Sequence, residues 1–352
     1  MKTIAVVLGA RPQFIKHAPV SPHLRKYFNE LIIHTGQHYE KRMSEVFFKE
    51  LKLPTPILLR RGIKFSTPSK QCEGMIDMLK KTFSKHKPDA VLVYGDTTST
   101  LAGAITARIC NLPLIHVEAG LRSFNYTMPE EFNRVITDHC SQLVFAPTKD
   151  AVKNLKKEKC LAIIKTCGDV MFDAFLMAKK FNSSRKLTIN KFYFLTLHRN
   201  YNVDKLSYLK KILYAVNKLD KNVIFSIHPR TKKMLKSAGI PYRNYENIQF
   251  LKPLSYFDTH LYLQHAECIL TDSGGMQKEA YWHKKKCITL RTETEWTDTL
   301  KGGWNHLCGN HFNEISKLIG IKPNERRYNK NLFGKSGSSK RIVGEIRRML
   351  RL

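Results

Sequence analysis

Acidic residues are scarce in this chain of 352 residues: 29 Asp and Glu stand against 60 Lys and Arg, a formal net charge of +31. A surplus of that size suits a nucleic acid, a membrane surface or a polyanionic small ligand. The sequence lacks an RNP-type aromatic pattern, zinc-finger spacing and a recognition helix, and its basic residues are spread along the chain at the ends and outer faces of expected helices. The expectation is a basic, solvated surface with no specific nucleic-acid partner. Nucleic-acid binding stays open as the weaker alternative.

Long apolar runs are also missing. No stretch approaches the roughly 18–20 continuous apolar residues of a transmembrane helix, so no membrane insertion is expected. The first apolar run extends only from Ile4 to Leu8 before Gly9-Ala10-Arg11-Pro12 follows. It reads as a buried strand and not as a signal peptide, which makes the cytoplasm the expected location. The cysteines (Cys72, Cys110, Cys140, Cys160, Cys167, Cys268, Cys287 and Cys308) include no Cys-x-x-Cys pair, and no His cluster has zinc spacing. They read as small buried hydrophobes in a reducing compartment, and no metal is expected. There is no Walker pattern, and Gly9 has no partner at the second or third glycine of the dinucleotide fingerprint. ATP and nicotinamide chemistry are therefore not expected. Internal repeats and low-complexity tracts are absent.

What is present is a steady alternation of short apolar runs and helix-length segments. TIAVVLG, ELIIHTG, DAVLVYGD, PLIHVEAG, QLVFAPT and LAIIKTCG read as strands of a first half. FYFLTLH, VIFSIHP, NIQFLKPL, ECILTDS and KCITLRT read as strands of a second. The runs are continuously apolar, as in strands buried on both faces of a parallel sheet. The expected class is α/β with doubly wound sheets. The polar stretch around Lys180 to Lys191 marks a boundary between domains 1–180 and 181–339. A loop from Pro323 to Ser339 precedes a final amphipathic helix, 340–352.

Ligands of open parallel sheets sit beyond the carboxyl ends of the strands. Seven polar motifs fall there: GARPQFIK, TGQH, GDTTST, HVEAGLRS, LHRN, HPRT and TDSGG. Two such rims facing each other form an interdomain cleft in this reading. In TDSGGMQKEA, Ser273, Gly274 and Gly275 open a helix and offer backbone N–H groups to a diphosphate, while Glu279 can accept from a ribose diol. Arg11 and Lys16 suit a phosphate or leaving-group charge. Asp96, Glu118 and Glu130 form a group of acids suited to proton transfer, with Arg122 and Arg134 near them in sequence. Glu130 and Glu131 also read as first-turn acids favouring the helix dipole. His116 alternates with Glu118 on a buried strand, where a polar side chain needs a task. His198 and Arg199 lie on the second rim, as do His228 and Arg230.

These residues carry a resemblance. GARPQFIK, TGQH, GDTTSTLAGA, HVEAGLRS, MPEEFNR, HPRT, TDSGGMQKEA and RTETEW occur in the order seen in the non-hydrolysing UDP-N-acetylglucosamine 2-epimerases, across about residues 3 to 310. The Arg-Ala-Asp/Glu-Tyr-Gly first loop of the hydrolysing relatives is missing. The resemblance implies two Rossmann-like domains facing across a cleft, a GT-B-like arrangement, with the last helix packed back on the first domain. It implies a cofactor-free anti elimination of UDP across C1–C2 and re-addition with the C2 proton delivered to the opposite face. It places Asp96, Glu118, Glu130 and His198 at catalytic positions, Arg11 and Lys16 at the diphosphate, and Ser273, Gly274, Gly275 and Glu279 in the UDP loop. Homodimers, and a role in supplying surface-polysaccharide precursors, are implied as well.

Trp296 follows RTETE where the UDP-N-acetylglucosamine enzymes place Arg before Pro, and GARPQFIK stands for GTRPEAIK. Both resemble the subgroup acting on UDP-2,3-diacetamido-2,3-dideoxyglucuronic acid. The acidic C6 group of that sugar needs a cation, for which Arg199, Arg230 and Arg291 are the candidates. A UDP-sugar-dependent glycosyltransferase of the same fold is the main alternative, distinguished by its need for an acceptor.

Overall fold

The computed structural model describes residues 1–37, 47–59 and 67–351. The motif TGQH is thus described only to Gln37. The chain divides into two compact units. Unit 1 comprises residues 1–177 and 333–352, and unit 2 comprises 178–332.

Among the described residues, unit 1 holds a seven-stranded sheet: β1 (Thr3–Leu8), β2 (Asn29–His34), β3 (Ile57–Leu58), β4 (Ala90–Tyr94), β5 (Leu114–Val117), β6 (Leu143–Ala146) and β7 (Ile163–Thr166). The order is β3-β2-β1-β4-β5-β6-β7, and the pairs are parallel. Helices cover both faces, so Ile4 to Leu8 of β1 are all buried, and the strand is apolar throughout instead of alternating. The helix Thr98–Ile109 lies on this sheet through small residues, Ala102, Gly103 and Ala104, and is capped by the Thr97 hydroxyl, which accepts from Thr100 N at 3.2 Å.

Unit 2 repeats the plan with β8 (Tyr193–Thr196), β9 (Val223–Ser226), β10 (Ile248–Leu251), β11 (Cys268–Thr271), β12 (Lys286–Thr289) and β13 (Asn305–Leu307). Their parallel order is β10-β9-β8-β11-β12-β13. Both sheets have the doubly wound order that reverses beside the first strand, between β1 and β4 and between β8 and β11. Two strands were not visible in the sequence. β3 has two residues, and β13 reads Asn-His-Leu, an edge strand with no apolar run.

The chain re-enters unit 1 at Phe333, whose carbonyl accepts from Asp169 N at 3.1 Å. The final helix, Ser338–Met349, is tied there by Asp173, which accepts from Gly337 N and Ser339 N at 2.7 Å each. Lys2 Nζ donates to the Leu350 carbonyl at 2.6 Å. All eight cysteines are free thiols. Among the described residues no helix is long and apolar enough to cross a membrane, and no group of three or more His, Cys, Asp or Glu could hold a metal ion.

Candidate active site

The rim of unit 1 is built at the carboxyl ends of β1, β4 and β5. Gln13, in the helix Arg11–His17 after β1, is fully buried and pins this rim. Its amide oxygen accepts from Gly9 N and Ala10 N at 2.8 and 3.0 Å, and its amide nitrogen donates to the Tyr94 carbonyl at 3.0 Å. Gly9 is needed for a close approach, since a Cβ there would lie 1.9 Å from Ser99 Oγ. One turn along the same helix, Lys16 Nζ lies 2.5 Å from Glu118 Oε1. Glu118 follows β5 in the left-handed region at φ 71°, a costly conformation for a residue with a Cβ and one found repeatedly at functional positions. Asp96 follows β4, and its carboxylate accepts from Arg134 Nη2. Asn133 fixes the same turn by donating to the Asp96 carbonyl at 2.9 Å. Burial opposes the charge of Arg134, but Asp96, Glu131 and Glu118 outweigh it and raise its pKa. Asp96 and Glu118 therefore share one cationic neighbour. Arg11 faces the Phe47 ring, 4.6 Å from its centroid.

Glu130 and Glu131 open the helix Pro129–Cys140. Glu131 is buried and accepts from Ser123 N, Ser123 Oγ and Phe124 N at 2.9, 2.8 and 3.1 Å, and from Arg134 Nη1 at 2.7 Å. Burial would raise its pKa; these donors and the Arg134 charge bring it below the ordinary carboxylate value. Glu130 is half-buried, and no hydrogen bond or ion pair holds its side chain among the described residues.

Arg122, a candidate substrate contact from its place in HVEAGLRS, is turned into the interior. Its side chain is 1% exposed, with Nε and Nη2 donating to Glu158 at 2.8 and 2.6 Å and Nη2 to Asp138 at 2.7 Å. Asp138 also faces His116 Nδ1 at 2.7 Å, and His116 Nε2 faces the Gly95 carbonyl at 2.8 Å. The task of the buried His116 is thus structural: it connects the Arg122–Asp138 pair to the backbone immediately before Asp96.

The rim of unit 2 gathers the remaining expected residues at the ends of β8, β9, β11 and β12. His198 Nδ1 lies 3.0 Å from Asp272 Oδ1, leaving the other ring nitrogen for chemistry. Asp272 is fully buried and also accepts from His198 N, Arg199 N and Asn202 Nδ2. Burial would raise its pKa; the His198 bond and charge and the backbone donors bring it down, so it stays an anion. Asp272 was missed in the sequence because an acid before Ser-Gly-Gly reads as part of the turn. The His198 and His228 ring centroids are 5.5 Å apart. His228 also caps the helix Pro229–Ser237, accepting from Arg230 N at 3.2 Å. Arg230 makes a two-pronged pair with Asp204, at 2.8 and 2.5 Å.

Ser273 caps the helix Gly274–Trp282, and nothing lies within 4 Å of where a Gly275 side chain would begin. This leaves the first turn open to an anion on that side. Glu279, farther along, is buried with one oxygen 3.6 Å from His260 Nε2. Arg291 is also buried and holds Glu295 at 2.9 Å. That carboxylate rests against Gly274, where a Cβ would come within 2.1 Å of Glu295 Oε1. Trp296, 7% exposed, is not an open pocket wall: Lys278 Nζ lies 4.0 Å from its ring centroid.

Comparison with known proteins places the chain in a family. The profile of the family described as UDP-N-acetylglucosamine 2-epimerase matches residues 23–347. A UDP-N-acetylglucosamine 2-epimerase homolog of Methanococcus maripaludis is 42% identical, covering 98% of this chain and 99% of its own. The UDP-2,3-diacetamido-2,3-dideoxy-D-glucuronate 2-epimerase of Pseudomonas aeruginosa is 40% identical over 87% of this chain and 88% of its own. The crystal structure of the Methanocaldococcus jannaschii UDP-GlcNAc 2-epimerase in complex with UDP-GlcNAc and UDP superposes with a TM-score of 0.91. It is 40% identical and covers 98% of this chain and 99% of that one. The chain belongs to the UDP-N-acetylglucosamine 2-epimerase family.

Proposed function

We propose that this protein is a non-hydrolysing 2-epimerase of a UDP-N-acetylhexosamine. The observation that carries the mechanism is the unit 1 rim, where Asp96 and Glu118 end neighbouring strands and each is held by a cation. The C2 hydrogen of the sugar is not acidic, so its removal must be coupled to departure of a good leaving group. A carboxylate of the group Asp96, Glu118 and Glu130 takes the C2 proton. The C2–H electron pair becomes the C1=C2 bond, and the C1–O bond breaks with both electrons leaving on UDP. A second acid then delivers a proton to the opposite face of C2 as the UDP oxygen re-forms its bond to C1. Arg11 and Lys16 stabilise the diphosphate charge as it develops. Ser273, Gly274 and Gly275 hold the diphosphate at a helix N-terminus, Glu279 takes the ribose hydroxyls, and His198, oriented by Asp272, serves the leaving group. The scheme uses no nicotinamide and no metal.

Two sugars fit. The methanogen relative supports UDP-N-acetylglucosamine going to UDP-N-acetylmannosamine, and the P. aeruginosa relative supports the 2,3-diacetamido uronic acid. The resemblance of GARPQFIK and of the RTETEW segment to the uronic-acid subgroup favours the second. A homodimer acting in the cytoplasm on surface-polysaccharide precursors completes the proposal. The test is incubation with both UDP-sugars in D2O, read by proton NMR. The expected result is deuterium at C2 of both epimers without any added acceptor. Epimers that keep their C2 hydrogen, or turnover that requires an acceptor, reject the proposal. A kcat/KM favouring UDP-N-acetylglucosamine by more than ~10-fold rejects only the uronic acid.

A further inference from the structure

Beside the helix Gly274–Trp282 lies a pair of histidines, His260 buried and His283 half-buried, that the scheme above does not use. His260, in the helix Tyr256–His265, is 0% exposed. Its Nδ1 is 2.9 Å from Nε2 of His283, the residue that ends the Gly274 helix, and its Nε2 is 3.6 Å from Glu279 Oε1. The Tyr256 ring packs edge-on against it, with centroids 4.5 Å apart and an interplanar angle of 73°. We infer that His260, backed by His283, is a positioning residue that sets the Glu279 carboxylate for a ribose diol. The inference rests on the reading of Glu279 as the ribose acceptor.

Glutamate has three rotatable bonds, and immobilising such a side chain costs rotamer entropy. A carboxylate that must meet two hydroxyl donors gains if that cost is met during folding and not on binding. The His pair supplies the anchor from the interior. His283 stays neutral, because burial first and then the His260, Lys285, Lys179 and His265 charges push its pKa down to about 2. One order along the line of contacts presents a proton to Glu279. His283 Nε2–H donates to His260 Nδ1, and His260 Nε2–H points at the carboxylate. The 3.6 Å separation exceeds a hydrogen bond, and the proposal requires it to shorten when the ribose diol binds. A hydrophobic residue would fill the same space, so the polar pair needs a reason of this kind.

The test is calorimetric titration of the full chain with UDP and with 2′,3′-dideoxy-UDP, which lacks the diol. Glu279→Gln and His260→Leu are each expected to weaken UDP by about 10-fold, the scale of a hydrogen bond to a charged group. Neither should change the affinity for dideoxy-UDP. The double variant should bind UDP no more than about 3-fold worse than either single one, and His260→Gln, which keeps a donor, should recover most of the loss. If Glu279→Gln acts selectively on UDP while His260→Leu weakens both ligands alike or neither, the positioning role is overturned and the ribose role of Glu279 stands. If Glu279→Gln shows no selectivity, both fall. Nitrogen-15 spectra of the wild-type histidines with UDP bound give a readout that no folding defect can obscure: a His260 protonated at Nε2 supports the inference, and one protonated only at Nδ1 overturns it.

Discussion

Glu130 and Glu131 differ by one position, yet a helix turns successive residues by about 100°, so the two cannot face the same surroundings. Glu131 turns inward to the Ser123 loop and Arg134, while Glu130 is left without a fixed partner among the described residues. The helical phase therefore separates a structural acid from one available for proton transfer. Asp96→Asn, Glu118→Gln and Glu130→Gln are each expected to lower turnover by at least ~10²-fold with an unchanged melting temperature. Glu131→Gln should instead lower the melting temperature. Steady-state kinetics and thermal melts of the four variants check this, and near-normal turnover in the first three removes the assignment. Asp272 shows the limit of reading single residues. It meets His198 only because β11 lies beside β8 with Thr271 opposite Thr196, joining residues 74 apart.

At the scale of elements, the buried Arg122–Asp138–His116 group locks the helix Pro129–Cys140 to the end of β5 and to the backbone before Asp96. Removing one member leaves uncompensated charge in the interior, which typically costs about 3–5 kcal/mol. Arg122→Leu is therefore expected to reduce unit 1 stability on that scale, seen as a lower urea midpoint, with UDP affinity retained wherever the protein is folded. Intact stability with lost UDP affinity would return Arg122 to the substrate. The pH dependence has a definite sign. Burial would raise the Asp138 pKa, but the His116 bond and the Arg122 charge hold it below its ordinary value. A depressed folded pKa contributes stability above the unfolded value near ~3.9. That contribution is lost as the pH falls through the folded value. Acid titration of Arg122→Leu should therefore show a shallower loss than the wild type over that range.

For the whole molecule, a charge of +31 attracts a UDP-sugar whose diphosphate carries about two negative charges. Screening lengths shrink from tens of ångströms at low salt to roughly 8 Å near 0.15 M. KM is expected to rise roughly 3-fold between ~20 and ~200 mM salt while kcat stays level. A flat KM would mean that the charge serves something other than substrate capture. The class of fold was legible because strands covered on both faces must be continuously apolar, as in TIAVVLG and ECILTDS, and because parallel strands need helical crossovers between them. The strand-end position of GARPQFIK, HVEAGLRS and TDSGG was legible for the same reason. The short edges β3 and β13 were not, since an edge strand needs no apolar run. Nor were the pairings of Lys16 with Glu118, Arg134 with Asp96, Arg122 with Asp138, and His260 with Glu279. Residue type and local period decide which face of an element is apolar and where it ends. Which charge meets which across neighbouring strands and helices depends on sheet order and register, and these are set only when the whole core packs.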